Sequence, residues 1–435
     1  IIPEKNMKRL TTWMRIKMAI MFVWSLMYAY LYRVLKGPNR SKKKRNYVVV
    51  TDNRPLKIAL ITEYYYPHVG GITSHIDGFA EFLVNNGHDV KIITPYIGHI
   101  SDNVPHKDRI IHIGKSIPIE SNNSIARFSV GSSQVIKDIK GLLDREKFDV
   151  IHNHGMLYGS LYFFSHKYAQ NEAVVGTLHT NFNFKSRLLT HYCKKLQRYF
   201  DDLDFVFAVS QSALDSMQRY FKCGAHKIIP NGINISRFQQ ARLKPKPKIF
   251  SPERFSILLM CRLEQRSGVL DGIEILNILR HEHGIDAEFV IIGEGPEKNK
   301  IISAIRAHRL DPYVKLAGTV LWDKEEYLVH ADALLCTHKI ASHSYVLSEF
   351  LASGKPVVST KDVIEWAPDL DGTALLAFDK NSPKEAADKL AMIARQPELG
   401  QRLSKRGFEV ANELSWSRIG SKIVSIYYDL LKPRN

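Results

Sequence analysis

The chain has 435 residues, 45% of them hydrophobic, which is enough for two α/β domains and too long for one ordinary core. Its formal net charge of +17 looks like that of a nucleic-acid binder until it is located: residues 1–46 hold twelve Lys or Arg against Glu4 alone, a net +11, which leaves +6 for the rest. That distribution argues against a basic groove over the folded body and for a basic segment attached to a nearly ordinary enzyme, so no nucleic-acid partner is expected.

From residue 18 to 32 the sequence reads MAIMFVWSLMYAYLY, broken only by Ser25 and flanked by Arg15, Lys17, Arg33 and Lys36. An upright bilayer crossing needs about 20 apolar residues, so this run either spans with snorkelling flanks or lies in the interface. Trp13, Trp24, Tyr28, Tyr30 and Tyr32 suit the headgroup boundary, and Arg40, Lys42, Lys43, Lys44 and Arg45 form a cluster for anionic lipid. No small-residue cleavage site follows the run, which argues against a removed signal peptide. Residues 1–46 are therefore expected to form a membrane-associated helix and basic linker, with the body facing the cytoplasm.

A first α/β half is expected over 47–242. KIALIT (57–62) is a short β-branched strand leading to a Pro and Gly turn, 73–86 has a helical pattern, and DVKIIT (89–94) is the next strand. Strand, glycine turn, helix and strand within about forty residues make a βαβ unit of a parallel sheet. FDVIH (148–152), AVVGTL (173–178) and FVFAV (205–209) read as further buried strands, and Cys193 and Cys223 fall between and beyond the last of these. With Cys261 and Cys336 they make four widely spaced cysteines, without a CxxC pair or a histidine cluster at ligand spacing. They read as small buried hydrophobes in a reducing compartment, and no metal site is expected.

Proline and lysine crowd LKPKPKIFSP (243–252), which reads as an interdomain linker. Alternation restarts with FSILLM (255–260), AEFVII (287–292), 314–316, 333–336 and PVVS (356–359), a second doubly wound domain over 243–412. The segment 415–431 carries Trp416, Ile419, Ile423, Ile426 and Tyr427 on a helical stripe that needs another surface to cover, so 413–435 is expected to return to the first domain. Ligands of such sheets bind beyond the carboxyl ends of the strands, where glycine turns expose backbone donors. With two domains, the expected site is the cleft between them.

The ordered series PHVGGITSH, IPIESNNSIARF, FDVIHNHG, VVGTLHT, AVSQSALD, IIPNGINISRF, VIIGEGPE, ASGKPVVST and LSWSRI resembles retaining nucleotide-sugar glycosyltransferases of family 4. Within that family it is most similar to the phosphatidylinositol mannosyltransferase-like lipid glycosyltransferases. The resemblance runs from Lys57 to Leu431 and implies two Rossmann-like doubly wound domains facing across a cleft, the GT-B arrangement. It implies a retaining, metal-independent transfer of a hexose from a UDP- or GDP-linked nucleotide sugar to a membrane lipid, with no separate cofactor. A partner glycosyltransferase subunit is a further candidate.

Carried over position by position, the resemblance gives Gly70 and Gly71 to the loop facing the donor phosphates, where a Cβ would keep the backbone from an anion. His179, in TLHT at a strand end, falls to the transferred sugar. Arg262 falls to the donor diphosphate, whose developing charge a cation stabilises, and Glu349 to the ribose hydroxyls. Glu294 and Gly295 in GEGP are turn residues on the second domain's cleft side, and Asn231 and Gly232 fall in the PNG turn before the linker, chiefly as turn residues. Two positions depart from the pattern: Ser267 stands where a lysine precedes Gly268, and Ala341 where the first of two glutamates belongs, with Ser344 in place of a glycine. Arg266 is the candidate to replace the lysine's charge, and His338, Lys339 and His343 to fill part of the sugar pocket. His179, Arg262 and Arg266 are thus the expected catalytic residues. The alternative is a donor-site-degenerate, non-catalytic scaffold or activating subunit.

Overall fold

The structure, a computed structural model, describes residues 50, 53–68, 70–121, 124–129, 131–155, 160–181, 197, 200–339 and 344–433. The expected membrane residues Trp13, Trp24, Lys42, Lys43, Lys44 and Arg45 lie outside the described residues, as do Cys193, Ala341 and His343. Among the described residues no helix is long and apolar enough to cross a membrane. Contacts divide the chain into two compact units with boundaries after Pro230 and after Ile419.

The first unit is built on strands β1 (Lys57–Thr62), β2 (Asp89–Tyr96), β3 (Ile110–Ser121), β4 (Ser124–Ser129), β5 (Val150–His154), β6 (Ala173–Leu178), β7 (Phe205–Ala208) and β8 (His226–Ile228). Their order is β4-β3-β2-β1-β5-β6-β7-β8. KIALIT and AVVGTL form strands as read, because unbroken apolar runs suit a sheet covered on both faces. The sheet is not wholly parallel: IPIESNNSIARF folds into β3 and β4, which pair antiparallel, Ser121 opposite Ser124. This corrects the expectation of parallel strands alone. A connection this short can join only antiparallel neighbours, since a parallel pair needs a crossover of a dozen residues or more.

The second unit holds β9 (Phe255–Met260), β10 (Ala287–Ile292), β11 (Val314–Gly318), β12 (Ala333–Cys336), β13 (Val357–Thr360) and β14 (Leu376–Phe378) in the order β11-β10-β9-β12-β13-β14, all parallel. Its contact boundary falls ahead of LKPKPKIFSP. The helix Ile235–Ala241 buries Phe238 and Ala241 in the second unit's core, and Phe250 joins them from within the Pro and Lys stretch.

The last helix, Trp416–Leu431, starts in the second unit and from Gly420 onward belongs to the first. Ile419, Ile423, Tyr427 and Leu431 are buried as the stripe requires, with Val424 buried and Ile426 only half-buried. A Cβ on Gly420 would come within 2.4 Å of the Phe82 ring, so glycine lets this helix press onto the helix Gly71–Asn85.

At the carboxyl end of β1, Glu63 is buried, and its two oxygens accept hydrogen bonds from Ser129 N at 2.7 Å and Ser129 Oγ at 2.6 Å. Burial pushes its carboxyl up to about 8, against the partial relief of those bonds. The folded state therefore holds this proton between pH 4.5 and about 8 while the unfolded chain releases it. Stability from Glu63 is complete below the unfolded value and is lost as pH rises to about 8, with a slope of at most about 1.4 kcal/mol per pH unit. Glu63→Gln mimics the protonated acid, so the unaltered protein should lose stability from pH 5 to 8 in urea denaturation relative to this variant. Parallel profiles for the two proteins would remove Glu63 as the cause.

Candidate functional site

Each sheet gathers polar side chains where its strand order reverses, the position at which open α/β sheets bind ligands. In the first unit the reversal lies between β1 and β5, and in the second between β9 and β12.

Alternation along β5 puts His152 and His154 on one face, and along β6 and its continuation it does the same for Thr177 and His179. Register pairs His154 with Thr177, so the four side chains meet. His152 is saturated: Nδ1 is hydrogen-bonded to the Tyr427 hydroxyl at 2.5 Å and Nε2 to Thr177 Oγ1 at 2.6 Å. His154 Nδ1 lies 3.0 Å from His179 Nε2. His75, from the helix Gly71–Asn85, sets its ring edge-on to His179 with centroids 4.7 Å apart. His75 and His154 are buried, whereas His179 is partly exposed. Burial, and then the neighbouring histidines, hold His152, His154 and His179 well below the ordinary imidazole range, so these three are neutral at pH 7.

Gly70 caps that same helix and Gly71 opens it. The first intrahelical bond runs from Ser74 N to Gly70 O at 3.0 Å. The amides of Gly71, Ile72 and Thr73 thus have no intrahelical acceptor, and the helix dipole makes this end favourable to an anion.

In the second unit, Arg262 follows β9 and Arg266 lies in the short turn Gln265–Ser267. The buried carboxylate of Glu264 joins them: Arg262 Nε is 3.0 Å from Oε1 and Arg266 Nε 3.0 Å from Oε2. Both guanidiniums meet Glu264 through Nε, and among the described residues no other partner holds their terminal nitrogens, an arrangement that suits a bidentate anion. Lys339, beyond β12, accompanies them, with its amide donating to Arg266 O at 2.9 Å and its ammonium 2.6 Å from Asp271. His338 is pulled down to about 4 by burial and then by the Arg266 charge. Ser267, standing for the absent lysine, is buried, and its carbonyl accepts from Thr337 Oγ1 at 2.6 Å.

The backbone carrying the arginines is fixed by GEGP. Cys261 N donates to Ile292 O at 3.0 Å, Leu263 N to Glu294 O at 3.1 Å, and Glu297 N to Leu263 O at 2.9 Å. A Cβ on Gly295 would lie 2.5 Å from Leu263 O. The Glu294 side chain pairs at the surface with Lys298 at 2.7 Å. Glu349 is buried in the helix Tyr345–Ala352 and ion-paired to Lys324. Burial raises its carboxyl against the pull of Lys324. Asn231 is buried, and Gly232 makes room for the Trp416 ring, which a Cβ would approach to 2.4 Å. The described cysteines, Cys223, Cys261 and Cys336, are free thiols.

Sequence reading missed Glu264, Asp271, Lys324, His75, His154 and Tyr427. Two signals were available: a carboxylate two residues from each arginine in RLEQR, and the alternating pair in HNH. Nothing local marks Lys324, Tyr427 or His75, whose partners come from distant segments.

Two Rossmann-like units, each with a polar cluster at its sheet's reversal, define the fold class as that of GT-B glycosyltransferases. A solved sucrose-phosphate synthase from Thermosynechococcus elongatus shares this fold with a TM-score of 0.67 at 16% identity, over 86% of this chain and 99% of that one. The family model Glycosyltransferase Family 4 matches residues 69–237, and the model Glycosyl transferases group 1 matches 254–396. The chain thus carries a Glycosyltransferase Family 4 domain followed by a group 1 glycosyl transferase domain. It is similar to the phosphatidyl-myo-inositol mannosyltransferase of Propionibacterium freudenreichii, 25% identical over 86% of this chain and 94% of that protein. It is also similar to the alpha-monoglucosyldiacylglycerol synthase of Acholeplasma laidlawii, 26% identical over 87% of this chain and 98% of that protein.

Proposed function

We propose that this protein transfers a hexose, with retained anomeric configuration and without a metal in the chemical step, from a UDP- or GDP-linked sugar to a membrane lipid. The observation that carries the reading is the pair Arg262 and Arg266 held on one buried carboxylate, with their terminal nitrogens left for a diphosphate. Charge that builds on the departing diphosphate is stabilised by fixed cations that need no reorganisation during the reaction. In this reading Arg266 supplies the charge that Ser267 cannot, with Lys339 beside it, and Glu349 takes the ribose. Gly70 and Gly71 offer helix-end amides to the phosphates, and His179 orients the sugar as a neutral hydrogen-bonding group.

The lipid acceptor is supported by what the two curated relatives are named for, an inositol phospholipid and a glucosyl diacylglycerol. The basic, apolar segment 1–46 is the proposed means of holding the enzyme at a cytoplasmic membrane surface, with a second transferase subunit as a candidate partner. Incubating the purified chain with labelled UDP- and GDP-hexoses and vesicles containing phosphatidylinositol or diacylglycerol tests the reading. Label appearing in a lipid-extractable α-glycoside, which mild alkali converts to a water-soluble deacylated glycoside, is the expected result. Absence of transfer from every donor to every lipid overturns it.

A further inference from the structure

The histidines at the first sheet's reversal have a geometry that sugar binding does not use. His75, His154 and His179 each present a ring nitrogen, and these nitrogens all lie within 4.8 Å of one another. The closest pair, His154 Nδ1 and His179 Nε2, is 3.0 Å apart. Two imidazoles on one tetrahedral zinc, each at about 2.0–2.1 Å, have nitrogens roughly 3.3 Å apart, so the His154 and His179 nitrogens already stand near ligand spacing.

We propose that His75, His154 and His179 form a binding site for a borderline divalent transition cation, zinc(II) being the representative. Three imidazole nitrogen ligands of this kind select zinc, copper or nickel over magnesium and calcium, which prefer carboxylate and carbonyl oxygen. Three protein ligands leave the fourth tetrahedral position to water or a substrate oxygen. The part-exposed ring of His179 gives an ion a way in, while the buried His75 and His154 close the inner side.

A second layer is already in place. His152 packs on His154 with ring centroids 4.1 Å apart, and it is itself pinned by Tyr427 and Thr177. Outer groups of this kind fix ring orientation around a metal. His154 Nε2 is buried and, among the described residues, without a hydrogen-bond partner.

The consequence for catalysis rests on the transferase reading: an ion that takes His179 Nε2 removes that nitrogen from the sugar, so zinc inhibits transfer. Binding itself is independent of that reading and is measured separately. The test uses the full chain without a polyhistidine tag, titrated with zinc(II) against a chromophoric chelator at pH 7. One equivalent should bind, and His75→Gln and His154→Gln should each weaken it at least about tenfold, since changes to outer groups alone cost roughly 10–100-fold. His226→Gln, at an exposed histidine far along the chain, should leave binding unchanged.

X-ray absorption on the unaltered zinc protein guards against misfolded variants and should give imidazole nitrogens at about 2.0 Å. A first shell of oxygen alone, or binding indifferent to both substitutions, overturns the site. A protein that binds zinc through these imidazoles and transfers no sugar keeps the site and loses the transferase. One that transfers sugar and binds no zinc loses the site alone.

Discussion

Arg262→Ala should lower kcat/KM for the nucleotide sugar about 100-fold, because a charged hydrogen bond to the departing diphosphate is worth up to about 3 kcal/mol and each tenfold in rate about 1.4 kcal/mol. Glu264→Gln should weaken transfer by a related route. It keeps both guanidiniums but removes the carboxylate charge that holds them together, so two like charges splay apart. Glu264 touches no phosphate in this reading and is a positioning residue. Its loss should therefore fall mainly on kcat and shrink sharply once Arg262 is already alanine. Additive losses in the double variant would mean that Glu264 supports the fold and not the arginines. Steady-state kinetics on the four proteins, with nucleoside diphosphate affinity by calorimetry, distinguish the two.

The second large effect is structural. Gly295→Ala places a methyl 2.5 Å from Leu263 O and 2.8 Å from Leu263 C and N, all backbone atoms that cannot swing aside. Overpacking of this kind costs about 1–3 kcal/mol and more where backbone must move. The strand of residues that moves is the one carrying Arg262 and Glu264. Both melting temperature and nucleoside diphosphate affinity should therefore fall together. Gly284→Ala is the control: its φ of +66° lies in the left-handed region, which that of Gly295 does not, and nothing lies within 4 Å of the added carbon. It should cost only the backbone strain, about 1–2 kcal/mol, and leave affinity intact. If Gly295→Ala lowers stability and leaves affinity unchanged, the loop does not position the arginines.

Much of the fold was legible because fully covered strands announce themselves. KIALIT, AVVGTL, FSILLM and AEFVII are predominantly apolar runs between turn residues, and each forms a strand over the range read. β8 and β14 were not legible, since HKI and LAF are three residues long and carry no periodicity. The antiparallel turn-back of β3 and β4 was hidden by Pro118 and by the Ser and Asn cluster, which read as loop chemistry while the register that pairs them is a long-range choice. The boundary between units fell earlier than the Pro and Lys stretch because composition reports stiffness, whereas Phe238 and Phe250 report where the chain is buried.

For the site, glycine and arginine positions could be read because local turn geometry and strand ends restrict them. By itself the sequence determined the covered strands, the helices that follow them, the glycine turns at the strand ends and the glycosyltransferase resemblance. It also determined the two departures at Ser267 and Ala341, since each of these is a property of neighbouring residues. Only the tertiary structure decided that Glu264 couples Arg262 to Arg266, that Lys324 occupies Glu349, and that His75, His154 and His179 converge with Tyr427 behind them. The physical reason is that sheet order and helix packing bring together groups dozens to hundreds of residues apart. A carboxylate or an imidazole takes its role from what surrounds it in space.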